Sequence, residues 1–230
     1  MAKGLFMRFR RSFLVSSLLL FFLAACAVTN MENHVGISNE ATAESYAAHR
    51  ATMGTVLLDA RWARQWKCGG YENAQLVSFG FDRMPVNAAT KTGAPDIVIS
   101  TGNQLMAKPQ FINIAVLVPP GEYVLSSFKI KVAESVSKVG YFTADRKHLL
   151  REGLPNAGSF KVAAGETVYI GNFGLDCLQQ PVLWRYYTQG KENFQKHLTQ
   201  YKAEYPFLDI SSVQYRLFET SALGRSYELK

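Results

Sequence analysis

The chain is predicted to be mainly β: an antiparallel β-sandwich with one C-terminal α-helix inserted before the last strand. Three observations carry this. Short apolar runs, several alternating at period two, recur between Gly and Pro turn signals from residue 54 to residue 170. Regular strand–helix alternation is missing, which disfavours a doubly wound α/β sheet. One stretch near the C-terminus changes to helical spacing.

The strands are read in order. Thr55–Ala60 (TVLLDA) is the first, and Gln75–Phe81 places Val77, Phe79 and Phe81 at period two. Asp96–Ser100 follows a Gly-Ala-Pro break. Phe111–Val118 (FINIAVLV) is nearly continuous in apolar residues, as a strand covered on both faces is. Tyr123–Leu125 and Phe128–Val132 follow the turn Pro119-Pro120-Gly121, and Val139–Thr143, Ser159–Val162 and Thr167–Ile170 complete the set. From Lys191 to Tyr205 the apolar residues Phe194, Leu198, Tyr201 and Tyr205 stand at i, i+4, i+7 and i+11, which predicts a helix over 191–205 ended by Pro206. Glu192 and Lys196 pair favourably on its outer side. Val213–Phe218 alternates as a final strand.

Ahead of this domain lie two further segments. Lys3, Arg8, Arg10 and Arg11 precede an apolar run from Phe13 to Val28, broken only by two serines, within which Leu23-Ala24-Ala25-Cys26 closes a small-residue stretch. The order of charge, apolar run and small residues is that of a secretory signal. The run falls short of the roughly 20 residues a membrane-crossing helix needs. An uncleaved anchor and plain secretion are the competing readings. The segment resembles a bacterial lipoprotein signal peptide, which implies removal of residues 1–25 and acylation of Cys26. Ala27, where many inner-membrane lipoproteins carry Asp, points by the same resemblance to the outer membrane of a Gram-negative bacterium. Residues 26–51 are polar and small and are read as a flexible tether with a loose helix at Ala43–Ala51. Residues 52–230 are the sandwich domain.

The chain holds 25 Lys+Arg and 18 Asp+Glu, a formal charge of +7. Four of the basic residues belong to the leader, so the remainder carries +3. That mild excess is no nucleic-acid signature, since no basic run or basic helix stands out. With Cys26 assigned to lipid, Cys68 and Cys177 remain, 109 residues apart. In an exported protein an even pair is read as a disulfide, with two buried free thiols as the alternative. Neither has a second Cys or His at metal-ligand spacing, so no metal and no cofactor is expected.

Two motifs, Pro119-Pro120-Gly121-Glu122-Tyr123-Val124-Leu125 and Ala164-Gly165-Glu166-Thr167-Val168-Tyr169-Ile170-Gly171, together are similar to the pattern of small exported transthyretin-like or carboxypeptidase-regulatory-like sandwich domains, many of them in uncharacterised bacterial lipoproteins. The resemblance spans about residues 110–175 and implies a fold, not an activity. In physical terms both motifs are turns that feed strands. Tyr123 and Tyr169 are amphipathic and suited to a sheet rim, the ring packed and the hydroxyl wet.

Catalytic chemistry is not legible. His34, His49, His148 and His197 have no Ser, Cys or second His at catalytic or metal spacing and are read as solvated or hydrogen-bonded. The sequence cannot pair the carboxylates Asp59, Asp82, Glu122 and Asp176. Aromatic residues gather around the cysteines: Trp62, Trp66 and Tyr71 near Cys68, with Arg61, Arg64 and Lys67 interleaved, and Trp184, Arg185, Tyr186 and Tyr187 shortly after Cys177. Two readings fit them, a binding patch for a sugar, lipid head group or protein, or a small core packed on the disulfide. The expected function is a non-catalytic, lipid-anchored binding or structural module of the cell envelope, held to the membrane by its N-terminal lipid. Its partner is an envelope protein or glycan. An envelope enzyme acting on glycan or lipid, and a secretion-machinery lipoprotein, are the rivals.

Overall fold

The computed structural model of the protein describes residues 36–101 and 110–230. The expected signal peptide and Cys26 lie outside the described residues. In chain order the elements are β1 (Gly36–Ile37), α1 (Ala43–His49), β2 (Gly54–Ala60), β3 (Gln65–Cys68), β4 (Tyr71–Arg83), β5 (Ile97–Ser100), β6 (Ile112–Val118), β7 (Gly121–Ala133), β8 (Val139–Ala144), α2 (Arg146–Leu149), β9 (Leu150–Arg151), β10 (Leu154–Pro155), β11 (Ser159–Val162), β12 (Thr167–Asp176), β13 (Val182–Tyr186), α3 (Lys191–Glu204) and β14 (Gln214–Tyr215).

Two sheets face one another. One has the order β1-β5-β4-β7-β11, with β3 beside β4 and β8 beside β7, and is antiparallel throughout. The other, β13-β12-β2-β6 with β14 beside β12, is mixed. Here the expectation of an antiparallel sandwich needs correction, because β12 runs parallel to both β2 and β14. The final strand is also shorter than Val213–Phe218: only Gln214–Tyr215 form a ladder. Beyond it the Arg216 and Phe218 amides donate to the Tyr169 and Ile170 carbonyls. The break follows from the irregular register of β12 between Tyr169 and Asn172.

Alternation explains the layers. Val56 and Leu58 of β2 and Ile114, Val116 and Val118 of β6 point between the sheets, where they meet Phe79, Phe81, Ile97, Ile99 and Phe173. The rings of Phe79 and Phe173 stack at 5.1 Å, and Phe81 meets Phe160 edge-on at 5.3 Å. The opposite set, Leu57, Ala115, Leu117 and Tyr169, lies under Phe194, Leu198 and Tyr201 of α3 and Tyr46 of α1. Every residue of β2 is therefore buried, and β6 has the two-sided cover its apolar run predicts. The layers are sheet, sheet, helix.

The tether expectation is corrected at its C-terminal end. Gly36 and Ile37 pair with Ser100 and Ile99 of β5. The Ala41 amide donates to Ala115, and the Leu117 amide to Asn39, both across the edge of β6. This arm thus closes one edge of each sheet. Thr42 and Ser45 form a capping box at the start of α1, and Tyr46 is buried. Residues 36–51 belong to the domain because backbone pairing and one tyrosine suffice to order them, despite their polar composition.

Cys68 and Cys177 form a disulfide, with Cα atoms 4.5 Å apart. It joins the end of β3 in one sheet to the residue following β12 in the other. The Gly69 amide donates to the Cys177 carbonyl at 3.1 Å alongside.

Candidate functional site

The strand that carries the site is β13. It is the outer strand of the mixed sheet, paired antiparallel to β12 with Trp184 opposite Gly174 and Arg185 opposite Phe173. Its other side meets the C-terminal segment, where Arg185 bridges Gly224. A groove of about 410 Å³ runs beside it, lined by Asp176, Leu178, Trp184, Arg185, Tyr186, Tyr187, Gln189 and Arg225.

Arg185 governs the electrostatics of this groove. It is 2% exposed. Glycines make its room: a Cβ at Gly171 would lie 2.7 Å from its Cδ, and one at Gly224 3.2 Å from its Cζ. Gly171 also has φ +108°, a conformation that disfavours any side chain. One guanidinium nitrogen, Nη2, donates to the Arg225 carbonyl at 2.9 Å. Cζ sits 5.5 Å from the centre of the Tyr187 ring, which in turn stacks on Tyr227 at 4.4 Å. Among the described residues, Nε and Nη1 have no hydrogen-bond partner. Burial pushes the pKa of this guanidinium down, with Tyr215, Tyr187 and Tyr169 as its electrostatic neighbours. Arginine nevertheless keeps its charge. A buried cation with open donors is costly until an anion meets it. Tyr187 and Arg225, which flank the guanidinium, both line the groove.

The sequence-predicted patch separates into three places. Trp62 is 2% exposed and packs in the core, 5.8 Å from Phe79. It leaves the patch because it lies just beyond β2, where the chain still faces the inter-sheet core. Tyr71 is half-buried and meets Phe142 edge-on at 5.6 Å. Trp66 is 62% exposed, with the Arg64 guanidinium 5.5 Å from its ring centre. Only Trp184 and Tyr186 line the groove together. The Tyr186 hydroxyl donates to the Leu175 carbonyl at 2.8 Å. Tyr123 and Tyr169, expected at a wet rim, are both buried. The Tyr123 hydroxyl donates to the Pro119 carbonyl at 2.7 Å, closing the turn that precedes it, and Tyr169 donates to Asn172 beneath α3. Glu166 of the second motif accepts from the Ala163 amide and forms a two-pronged pair with Arg216.

Two buried polar clusters went unread in the sequence. Asp59, fully buried in β2, accepts from Tyr201 at 3.1 Å and pairs with His197 Nε2 at 2.9 Å. His197 Nδ1 contacts Gln200 at 3.2 Å. Burial raises the Asp59 pKa; burial lowers that of His197, but its bonds to Asp59 outweigh this and raise it. Both carboxylate oxygens are engaged by α3, so the cluster holds the helix to the sheet. The second cluster surrounds Asp82, also fully buried, which receives Arg146 at 2.6 and 3.2 Å and Lys91 at 2.8 Å. Burial alone would raise its pKa, but Arg146, Lys91 and Ser126 together hold it below the usual carboxylate range. Arg146 further donates to the Gly93 and Ala94 carbonyls, pinning the loop before β5.

Among the described residues, no group of three His, Cys, Asp or Glu side chains is placed to hold a metal ion, and no helix is long and apolar enough to cross a membrane. No protein-family model matches the chain, and neither a curated protein nor a solved structure shows significant similarity to it.

Proposed function

We propose that this protein is a non-catalytic binding module of the cell envelope, fixed by a lipid on Cys26 to the outer membrane of a Gram-negative bacterium. On the strength of its Pro-Pro-Gly turn we read its sandwich as transthyretin-like. The groove along β13 takes an anionic group, carboxylate or phosphate, of an envelope protein or glycan. One observation carries this reading: Arg185, whose buried Nε and Nη1 have no partner among the described residues, lines a groove together with Tyr187, Arg225, Trp184 and Tyr186. Aromatic faces and arginine are the side chains that dominate binding hot spots. None of the groove-lining residues is a Ser, Cys or His, which favours recognition over covalent chemistry.

Three measurements test it. Metabolic labelling with palmitate and mass analysis of the first residue should find acyl chains on the wild type and none on Cys26→Ala. Carboxylated and phosphorylated envelope glycans should bind the wild type better than neutral ones, and crosslinking in the envelope should give a reproducible partner. Arg225→Ala and Trp184→Ala should lose both with unchanged melting. Undiminished binding in both variants, or hydrolysis of an envelope polymer by the wild type, overturns the reading.

A further inference from the structure

We propose that the disulfide end of the sandwich rests on the surface of the bilayer, with Trp66 and Leu178 at the headgroup level. This inference rests on lipidation of Cys26.

Strand register assembles that end. Trp66 stands opposite Asn73, Asn73 opposite Ala133, and Ala133 opposite Val139. The hairpin turn carrying Val136 closes β7 onto β8 at the same level. The disulfide then draws in Leu178, next to Cys177. Seven large apolar side chains are exposed among the described residues, and five belong here: Trp66 at 62%, Val136 at 97%, Val139 at 46%, Tyr141 at 54% and Leu178 at 87%. Of the remaining two, Leu154 lies elsewhere, and Tyr186 lines the β13 groove beside Leu178 with its hydroxyl turned onto β12. Cations interleave with these residues. Arg64 lies over Trp66, and Lys67 is exposed beside it. Glu134, the acid of the hairpin turn, is spent on Lys138. Tryptophan and tyrosine with flanking Lys and Arg is the composition of a membrane–water interface.

The chain direction supplies the second argument. β1 is antiparallel to β5, which is antiparallel to β4, so Gly36 lies at the level of Ser78 and Ile37 at that of Phe79. β1 therefore runs in the same direction as β4, with its N-terminal end facing the Tyr71 end of β4, where the disulfide is. Seven strand residues separate the two levels, about 23 Å. The ten steps from Cys26 to Gly36 span at most about 35 Å. That length is enough for a lipid on Cys26 to reach the level of this end.

The test uses the full lipidated protein in phosphatidylcholine–phosphatidylglycerol vesicles whose acyl chains carry bromine near the headgroup. Tryptophan emission is compared between the wild type and Trp66→Phe, a surface change that leaves the core intact. The expected result is loss of the Trp66 emission to brominated lipid, together with its protection from aqueous iodide, and weaker loss in Leu178→Glu. An acylated, vesicle-bound protein whose Trp66 stays open to iodide and unquenched by lipid overturns the inference while lipidation stands. Protection from iodide without lipid quenching, rising with protein concentration, means that a second copy covers this end and equally overturns it. A mature chain with no acyl mass refutes the anchored reading itself and the inference with it.

Discussion

Asp82 is the residue whose loss the fold would feel most sharply among its charges. It holds two cations from separate segments, and Arg146 carries the loop before β5 with it. Removing one member of a buried pair leaves the other uncompensated. Asp82→Asn is therefore expected to cost about 3 kcal/mol, read as a lower urea midpoint with unchanged slope. Its lowered pKa gives a sign: the stabilisation is full above the unfolded carboxylate value, about 3.9, and is lost as pH falls through the folded value. His197 acts at the other end of the scale. Its pKa is raised, so its contribution is full below about 6.5 and is lost as pH rises through the folded value. The raised pKa of Asp59 has the same sign. Urea midpoints measured from pH 6 upward should decline in the wild type, and His197→Gln should flatten that decline; an unchanged slope in the variant would remove His197 from the account.

At the scale of elements, the helix and the disulfide hold the sandwich from different sides. α3 is laid down by Phe194, Leu198 and Tyr201 on one stripe, and Leu198 is 2% exposed. Leu198→Ala should cost about 2–4 kcal/mol, since a cavity would open beneath the helix, and circular dichroism should show the helix retained. The Cys68–Cys177 bridge closes a 109-residue loop. In the chain-entropy view such a loop contributes roughly 4–5 kcal/mol, and native bridges commonly give about 2–5. Cys68→Ala with Cys177→Ala should lower the melting temperature clearly, and reductant should do the same to the wild type but nothing to the double variant. Elements with strong periodicity are legible in the sequence: α3 differs from its expected span by one residue, and β11 is identical to its own. Two apolar fragments, Tyr123–Leu125 and Phe128–Val132, are one strand: Ser126 and Ser127 interrupt the apolar pattern, while the ladder to β4 skips only Ser126, pairing Ser127 with Gly80 and Leu125 with Phe81. β3 escaped notice because its four residues include an exposed Trp66 and Lys67, the latter at φ +55°. No alternation signals a strand so short and so bent.

For the molecule as a whole, the N-terminal arm decides whether the sheets have open edges. β1 covers β5, and residues 39–41 cover β6. A chain beginning at residue 42 should expose both, and exposed edges recruit other chains. Light scattering should detect association of that truncated form at concentrations where the full protein stays monodisperse. None of this was legible in composition: an arm paired through its backbone needs no apolar side chains, so its sequence reads as linker. The site shares that opacity. Trp184, Arg185, Tyr186 and Tyr187 stand out by residue type, but the burial of Arg185 follows only from Gly171 and Gly224, both remote in sequence, which enclose it. Likewise Asp59 and His197 lie 138 residues apart, and only the packing of α3 on β2 makes them partners.

The arm has a mechanical consequence. Because β1 lies along the strand axis of its sheet, tension arriving at Gly36 in the line of the strand loads the bonds to β5 in shear, side by side, and does not peel them apart singly. Behind them the bonds of residues 39–41 to the opposite sheet share the strain. A tug on the front of the chain is thus passed to both halves of the body at once.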